Sequence, residues 1–200
     1  MGHTIFIEDA AETKNLIERN LVVDTRASDS LLNTDATPAS FWITHPDNMF
    51  RYNHAAGSAR YGYWFDLMVN SIGPSFDPNI CPENSKLGEF IGNVAHSNGR
   101  YGLRIHHQLI PREKPCSGFN IDMNSSLPFG NNAPIIAKFY DLVSYKNNRN
   151  GAITERTSGV QFHNFKTVDN LLAGIEFGDT RAIPFDDYTG VFNALIVGRS

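Results

Sequence analysis

Two pairs of segments in this chain repeat at a fixed spacing, and this repetition constrains the fold more than any other feature. Residues 139–151 align without gaps with residues 162–174, which lie 23 positions further along the chain. Residues 53–65 align in the same way with residues 93–105, at a spacing of 40 positions. Each unit has two short stretches of alternating apolar residues, separated by a turn that contains Asn or Gly. Such units, which lack helical periodicity, predict an all-β solenoid of parallel coils.

The repeat also accounts for an excess of asparagine, of which the chain has 20 among 200 residues. An Asn side chain at the same corner of successive coils can bond the Asn above it and cap the turn. Glycine at another corner would supply a left-handed conformation or a close approach of two backbones. The predicted ladder of corner asparagines consists of Asn53, Asn93, Asn147 and Asn170.

Longer spacings between the units indicate insertions. These fall at residues 26–40, 70–87 and 107–134, where turn-forming residues collect. Loops of this length in a compact domain are usually functional. The insertions are therefore predicted to face a partner.

The segment 10–19 allows two interpretations. Asp9 followed by Glu12 resembles the start of a helix, and the residues that follow have fair helix propensity. However, Asn15 and Asn20 match a second pair of asparagines 33 positions later, which favours strand or turn for the second half.

Charge and motifs exclude several classes of protein. The chain has 17 basic and 21 acidic residues, a net charge of −4, and no basic run, which argues against nucleic-acid binding. No apolar stretch is long enough for a bilayer, and the N-terminus lacks a secretory pattern. No nucleophile elbow, phosphate-binding loop or dinucleotide fingerprint is present. We therefore predict no catalytic residue, cofactor or metal site.

The best candidate for a surface binding strip is the segment that contains Arg104, His106 and His107. Alternation along a strand would turn Arg104 and His106 outward. The strip could contact an anion or a sugar, or hold a metal together with His96. The alternative is an ordinary solvated face, and the metal hypothesis is weak because no Cys/His cluster accompanies it.

Alternation from Gly62 places Tyr63 and Phe65 inside the coil and Trp64 outside, so Trp64 is the aromatic side chain predicted to offer a surface platform. Carboxylates close to strand ends are Glu8, Asp9 and Asp66. A glycosidase needs two carboxyl groups across a sugar, whereas turn caps and surface charges are the alternative role.

Several longer strings resemble the extracellular β-helix region of the fibrocystin-L family. They are Gly2-His-Thr-Ile-Phe-Ile-Glu-Asp9, Thr37-Pro-Ala-Ser-Phe-Trp-Ile-Thr-His-Pro-Asp-Asn48, Asn53-His-Ala-Ala-Gly-Ser58 and Gly62-Tyr-Trp-Phe65. The same pattern is similar to the β-helix region of the cell-migration-inducing hyaluronidase and its transmembrane relative. The resemblance is strongest over residues 2–110 and continues to about residue 177.

The resemblance implies a right-handed parallel β-helix with long insertion loops, formed by residues 1–200 as one segment of a longer secreted or cell-surface chain. It implies a structural or adhesive role, with other extracellular or membrane proteins or glycans as partners in a larger assembly. The alternative is a polysaccharide-degrading module. No catalytic motif of the hyaluronidases matches a position in this sequence, so no catalytic residue is carried over.

Two cysteines and one glycosylation sequon lie in the insertions. Cys81 and Cys116 are too few for a disulfide scaffold and too far apart for a metal knuckle, and they could remain free thiols. If their two loops leave adjacent coils on one side, the sulfurs come within bonding range, and the compartment implied by the resemblance is oxidising. We therefore predict a Cys81–Cys116 disulfide. The sequon Asn124-Ser-Ser predicts glycosylation of Asn124.

Overall fold

The chain forms a parallel β-helix. The computed structural model describes residues 2–29, 33–118, 131–178 and 189–199. Within these ranges, 18 strands form three parallel sheets of six strands each, which we name sheets A, B and C. Three short 3-10 segments accompany them, at Asn33–Ala36, Gly73–Ser75 and Pro82–Asn84. No helix in the described part of the chain has the length and apolar character needed to cross a membrane. The predicted all-β solenoid is confirmed.

Each coil contributes one strand to each sheet, in the order A, B, C. Sheet A consists of β1 (Ile5–Ile7), β4 (Ala39–Ile43), β7 (Tyr61–Asp66), β10 (Tyr101–His106), β13 (Asn150–Glu155) and β16 (Ala173–Gly178). Sheet B consists of β2 (Leu16–Glu18), β5 (Met49–Arg51), β8 (Glu89–Ile91), β11 (Ala137–Tyr140), β14 (Val160–His163) and β17 (Gly190–Phe192). Sheet C consists of β3 (Leu21–Val23), β6 (His54–Ala56), β9 (Val94–His96), β12 (Val143–Tyr145), β15 (Lys166–Val168) and β18 (Leu195–Val197).

The register of the strands agrees with the spacings found in the sequence. Tyr63 in β7 pairs with Leu103 in β10, at the predicted spacing of 40. Phe139 in β11 pairs with Phe162 in β14, at the predicted spacing of 23. The weaker match of the first unit corresponds to the pairing of β2 with β5. Both repeat alignments are therefore confirmed.

Aromatic side chains fill the interior of the coils. In sheet B, Phe90 lies with its ring centroid 5.4 Å from that of Phe139, which in turn lies 5.7 Å from Phe162. In sheet A, Phe41 stacks on Tyr63 at 4.6 Å. All five side chains are fully buried. Burial of each phenylalanine contributes roughly 1.5–3 kcal/mol, so this column is a main source of stability between coils.

The four predicted asparagines belong to ladders at two different corners rather than to one. Between sheets B and C, the backbone N–H and the side-chain amide of Asn53 both donate to Oδ1 of Asn93, at 2.9 and 3.2 Å. Between sheets C and A, Asn147 donates in the same way to Asn170, at 3.1 and 2.8 Å. The coil before Asn147 contributes Asn98, whose amide donates to Oδ1 of Asn147 at 2.8 Å. The prediction of a single ladder is wrong.

The register explains this division. Val94 pairs with Val143, so Leu142 occupies the position of Asn93 in the next coil. Leu142 is fully buried and belongs to the interior apolar cluster. At this position an apolar side chain thus replaces the buried asparagine, while exposed side chains at the same corner still bond from coil to coil: the Asn164 amide donates to Oδ1 of Asp141 at 3.0 Å, and the Asn193 amide donates to Oδ1 of Asn164 at 2.9 Å.

The segment before β2 does not form a helix. Ala10 and Lys14 have φ angles of 64° and 61°, in the left-handed region that a right-handed helix excludes. The backbone N–H of Ala10 donates instead to the Thr44 hydroxyl of the next coil, at 3.0 Å. The second half of the segment contributes β2, as the match of the asparagines predicts.

Two long insertions leave the solenoid at one corner. Residues 67–88 and 107–136 both connect sheet A to sheet B, whereas residues 24–38 connect sheet C to sheet A. Cys81 and Cys116 join the first two insertions in a disulfide, with Cα atoms 5.3 Å apart. The predicted disulfide is therefore confirmed. The predicted glycosylation site, Asn124, lies outside the described residues.

Candidate functional site

Sheet A differs from the other sheets because its outer face is also packed. Every residue of β4 and β7 is buried, whereas neighbouring strands of sheets B and C alternate between buried and partly exposed residues. The outward residues form a second apolar cluster, the outer cluster, which consists of Ala39, Trp42, Tyr61, Trp64, Tyr101 and Ile153, with Phe6 against them. A parallel sheet covered on both faces is rigid, so groups attached to this face are held in place.

Trp64 points outward, as alternation predicts, but it is not a surface platform. Its ring lies 4.7 Å from Tyr61 and 6.3 Å from Trp42, centroid to centroid, and only 6% of the residue is exposed. The prediction that Trp64 offers a stacking surface is wrong, because Tyr61 on the same strand and Trp42 and Arg104 on the adjacent coils cover it.

Arg104 extends the outer cluster with a charge. Its guanidinium lies 5.4 Å from the ring centroids of both Tyr61 and Trp64, and Nη1 donates to the Tyr61 hydroxyl at 3.1 Å. Nε donates to Oε2 of Glu155 at 2.9 Å. Arg104 is thus fixed by aromatic faces and by a carboxylate, rather than free to move in solvent.

Beside Arg104, the structure brings together three side chains that can bind a metal. Asp66 ends β7 and pairs in register with His106, the last residue of β10. His107 follows with a φ angle of 58°, and its Nε2 lies 3.6 Å from Oδ1 of Asp66. One ligand atom from each residue lies within 4.8 Å of the other two. Within the described ranges, this is the one such group of three His, Cys, Asp or Glu side chains.

Burial controls protonation in this group. Burial, together with the smaller effects of the nearby Arg104, His107 and Arg156, lowers the pKa of His106 to about 3. Burial raises the pKa of Asp66, against the opposing effects of His107, of the Trp42 hydrogen bond and of Arg104. His106 is therefore a neutral imidazole at physiological pH.

A polar cleft of about 340 Å³ opens next to the histidines. It is lined by His106, His107, Ile153, Glu155, Arg156, Glu176 and Gly178. Carboxylates, a guanidinium and imidazoles thus face one opening, a mixture suited to a partner with both hydroxyl and charged groups.

Other candidate residues lie elsewhere. His96 is on β9 in sheet C, where its ring stacks on Tyr145 at 4.6 Å, so it does not join His106. Glu8 is exposed, and Asp9 accepts a hydrogen bond from the Ser75 hydroxyl at 2.8 Å. Of the carboxylates considered from sequence, only Asp66 belongs to the site.

Sequence reasoning missed the contact of Trp42 with Asp66, the role of Glu155 and the adjacency of Asp66 to His106. The adjacency of Asp66 and His106 could have been predicted, because the two residues are 40 positions apart, which is the spacing of the repeat around them. The position of Trp42 beside Trp64 could have been predicted from an alignment of residues 41–43 with residues 63–65, which pair at a spacing of 22. Glu155 had no comparable signal, because 51 positions and a long insertion separate it from Arg104.

Comparison with known proteins places this fold in a family. A family model described as CEMIP beta-helix matches residues 1–103, slightly more than half of the chain. The chain belongs to the CEMIP beta-helix family. The match covers β1 to the start of β10 and so includes Asp66 but ends before the two histidines.

Individual relatives of this CEMIP beta-helix member cover more of its length. Mouse fibrocystin-L is 40% identical over 175 residues, 88% of this chain, and human fibrocystin-L is 40% identical over 176 residues. The human cell surface hyaluronidase CEMIP2 is 29% identical across the whole chain. The chain spans about 4% of the length of the fibrocystin-L proteins and 17% of CEMIP2.

Proposed function

We propose that this chain is a rigid structural and adhesive segment of an extracellular protein, which contacts a glycan or protein partner through the cleft beside the outer cluster. The observation that carries the proposal is the position of this cleft. It opens at the edge of sheet A, whose two faces are both packed in the described part of the chain, so its polar groups are preorganised for binding.

Two observations support an extracellular location. Relatives include a protein named cell surface hyaluronidase. The disulfide between Cys81 and Cys116 requires an oxidising compartment to form and persist.

The chemistry of the cleft favours an acidic glycan as the partner. Arg156 offers a cation and Glu176 a hydrogen-bond acceptor for hydroxyl groups. One relative, 26% identical across this chain, is named cell migration-inducing and hyaluronan-binding protein, so hyaluronan is the first glycan to test.

The experiment measures binding of hyaluronan oligosaccharides to the folded 200-residue chain by calorimetry. We expect Arg156→Gln to weaken binding about tenfold, because a charged hydrogen bond is worth roughly 1.5 kcal/mol or more. Lys138 is an exposed cation on β11 in sheet B, away from the cleft. Lys138→Gln is therefore the matched control and should bind like the wild type. Binding that is absent, or equal in all three proteins, would contradict the proposed contact.

The same samples test the alternative, a polysaccharide-degrading module. Glu155 and Glu176 both line the cleft, but Glu155 accepts from Arg104, and Glu176 accepts from the Asn150 amide. Both carboxylates are thus already engaged by donors of this chain. The chain length of hyaluronan is measured after incubation with the wild type and with Glu176→Gln. A decrease with the wild type that is absent with the variant would show that the function is hydrolytic rather than adhesive.

A further inference from the structure

Asp66, His106 and His107 lie at the end of two adjacent strands with their outward groups converging. The register pairs Asp66 with His106, so their side chains emerge on the same face, one strand apart. The left-handed backbone at His107 ends the strand. It turns the His107 ring toward β7, so that Nε2 lies 3.6 Å from Oδ1 of Asp66. Three ligand atoms thus lie within 4.8 Å of one another on the rigid face of the molecule.

We propose that these three side chains form a binding site for Zn²⁺, with one coordination position open toward the cleft. Zinc is bound by imidazole nitrogen and carboxylate oxygen at about 2.0–2.2 Å, and tetrahedral ligands at that distance are about 3.4 Å apart. The observed separations need only small rotations of side chains to reach this geometry. Two histidines and one carboxylate are also a donor set of open, three-ligand zinc sites.

Neighbouring groups orient the ligands as metal sites require. Nε1 of Trp42 donates to Oδ2 of Asp66 at 3.2 Å, which leaves Oδ1 on the side of His107. Nε2 of His106 lies 4.0 Å from Oε2 of Glu155. Nδ1 of His106 is buried and has no hydrogen-bond partner among the described residues. A metal-bound histidine typically directs its second nitrogen at a carboxylate. Nε2 of His106 takes that role here, so Nδ1 is the atom that would coordinate the metal.

The charge of the site suits a cation. Asp66 is only 3% exposed, and a buried carboxylate is costly unless a positive charge accompanies it. The nearby guanidinium of Arg104 is balanced by Glu155, so it does not oppose a metal ion at full strength.

Zinc is favoured over the other metals that accept this donor set. Two histidines and a carboxylate also bind Fe²⁺ in oxygenases, but the disulfide indicates an oxidising environment, in which zinc is stable because it has no redox chemistry. Calcium and magnesium prefer ligand sets made of oxygen only. The fourth position, next to the cleft, would hold water or an oxygen of a bound molecule.

The test titrates Zn²⁺ into the metal-free, disulfide-bonded chain by calorimetry, with no glycan present, so its result does not depend on the proposed function. We expect one Zn²⁺ per chain. Asp66→Asn and His107→Ala should each weaken binding at least about 100-fold, and Trp42→Phe about tenfold, because it removes only the group that orients Asp66. Co²⁺ in place of Zn²⁺ should give the visible absorption of a four-coordinate ion.

His96→Ala is the matched control, because His96 lies on sheet C and should leave zinc affinity unchanged. Circular dichroism of each variant shows whether the β-helix is intact, and His107, whose side chain is 45% exposed, is the ligand whose loss is least able to disturb folding. A chain that binds no Zn²⁺, or one whose affinity survives His107→Ala but falls with His96→Ala, would overturn the site.

Discussion

Four glycines occupy equivalent positions of neighbouring strands in sheet A and let the coils approach closely. They are Gly62, Gly102, Gly151 and Gly174. A Cβ on Gly102 would lie 2.6 Å from the carbonyl oxygen of Gly151, and a Cβ on Gly62 would lie equally close to that of Gly102. These glycines are therefore required for space between backbones rather than for a left-handed conformation.

Substitution at this column should be costly. We expect Gly102→Ala to lower the free energy of unfolding by roughly 1–3 kcal/mol, because the adjacent backbone must move to accept the methyl group. Gly118→Ala is the control, since a Cβ there meets no atom of the described residues within 4 Å, and the expected change is below about 0.5 kcal/mol. Urea unfolding followed by circular dichroism measures both. Equal midpoints for the two variants would contradict the role of the column.

At the scale of elements, the asparagine ladder between sheets C and A connects three coils. Oδ1 of Asn147 accepts from both the backbone N–H and the amide of Asn98, and the Asn147 amide donates to Asn170. Asn98 and Asn147 are almost fully buried, so no water replaces a lost partner. Each asparagine therefore satisfies groups on the coils before and after it.

We expect Asn147→Ala to destabilise the chain by about 2–4 kcal/mol, because it leaves several buried donors and acceptors of Asn98 and Asn170 without partners. Asn148→Ala removes a similar side chain at an exposed position in the same turn and should have almost no effect. The midpoint of chemical unfolding distinguishes them. A loss below about 0.5 kcal/mol for Asn147→Ala would show that the ladder is not a source of stability.

The disulfide is a second connection between elements, and its removal should also be measurable. Cys81 and Cys116 are 35 positions apart, and closing a loop of this size stabilises a fold by about 3–4 kcal/mol in the chain-entropy model. The double variant Cys81→Ser, Cys116→Ser should lose that amount in urea unfolding and should not respond to reductant. Wild-type protein whose unfolding midpoint is the same with and without reductant would contradict this expectation.

The sequence predicts the strand pairing well because a one-residue shift would turn every interior side chain outward. The anchors around Asn53 and Asn93, and around Phe139 and Phe162, therefore specify their register. The transition between these two blocks was not predictable, because an insertion separates them and Leu142 replaces the expected asparagine. Alternation also predicts that Trp64 points outward, but coverage of that face depends on neighbours that several coils supply together.

At the scale of the whole molecule, stability should depend on pH through buried histidines. His45 is 5% exposed, and its Nδ1 accepts the backbone N–H of Asp47 at 3.1 Å, so protonation at that atom would break the bond. Burial lowers the pKa of His45 to about 4, against the raising effects of Asp47 and Glu12. His3 is similar: burial lowers its pKa to about 4, and Nδ1 accepts from Ala39.

The direction of the pH effect follows from these values. An unfolded histidine binds a proton near pH 6.5, so between about pH 6.5 and 4 the unfolded chain binds more protons than the folded chain. Stability therefore falls as the pH falls through this window, by about 2 kcal/mol per histidine between pH 7.5 and 5.0.

His45→Asn isolates one contribution, because an asparagine oxygen can accept from Asp47 without titrating. We expect its loss of stability between pH 7.5 and 5.0 to be smaller than that of the wild type by about 2 kcal/mol, as measured by urea unfolding at both pH values. Identical losses in the two proteins would exclude His45 as an acid-sensitive group.

The disulfide also determines how the molecule responds to force. The chain between Cys81 and Cys116 contains β8, β9 and β10, one complete turn of the solenoid. When the two ends are pulled apart, coils outside this turn can peel away and lengthen, whereas the enclosed 35-residue stretch cannot extend. At about 3.3–3.6 Å per residue, roughly 120 Å of contour length stays hidden until the bond is reduced. If the segment carries force between neighbouring parts of a longer chain, this turn would therefore stay folded while other coils extend. Reduction of the disulfide, rather than a higher force, would then allow the turn to extend.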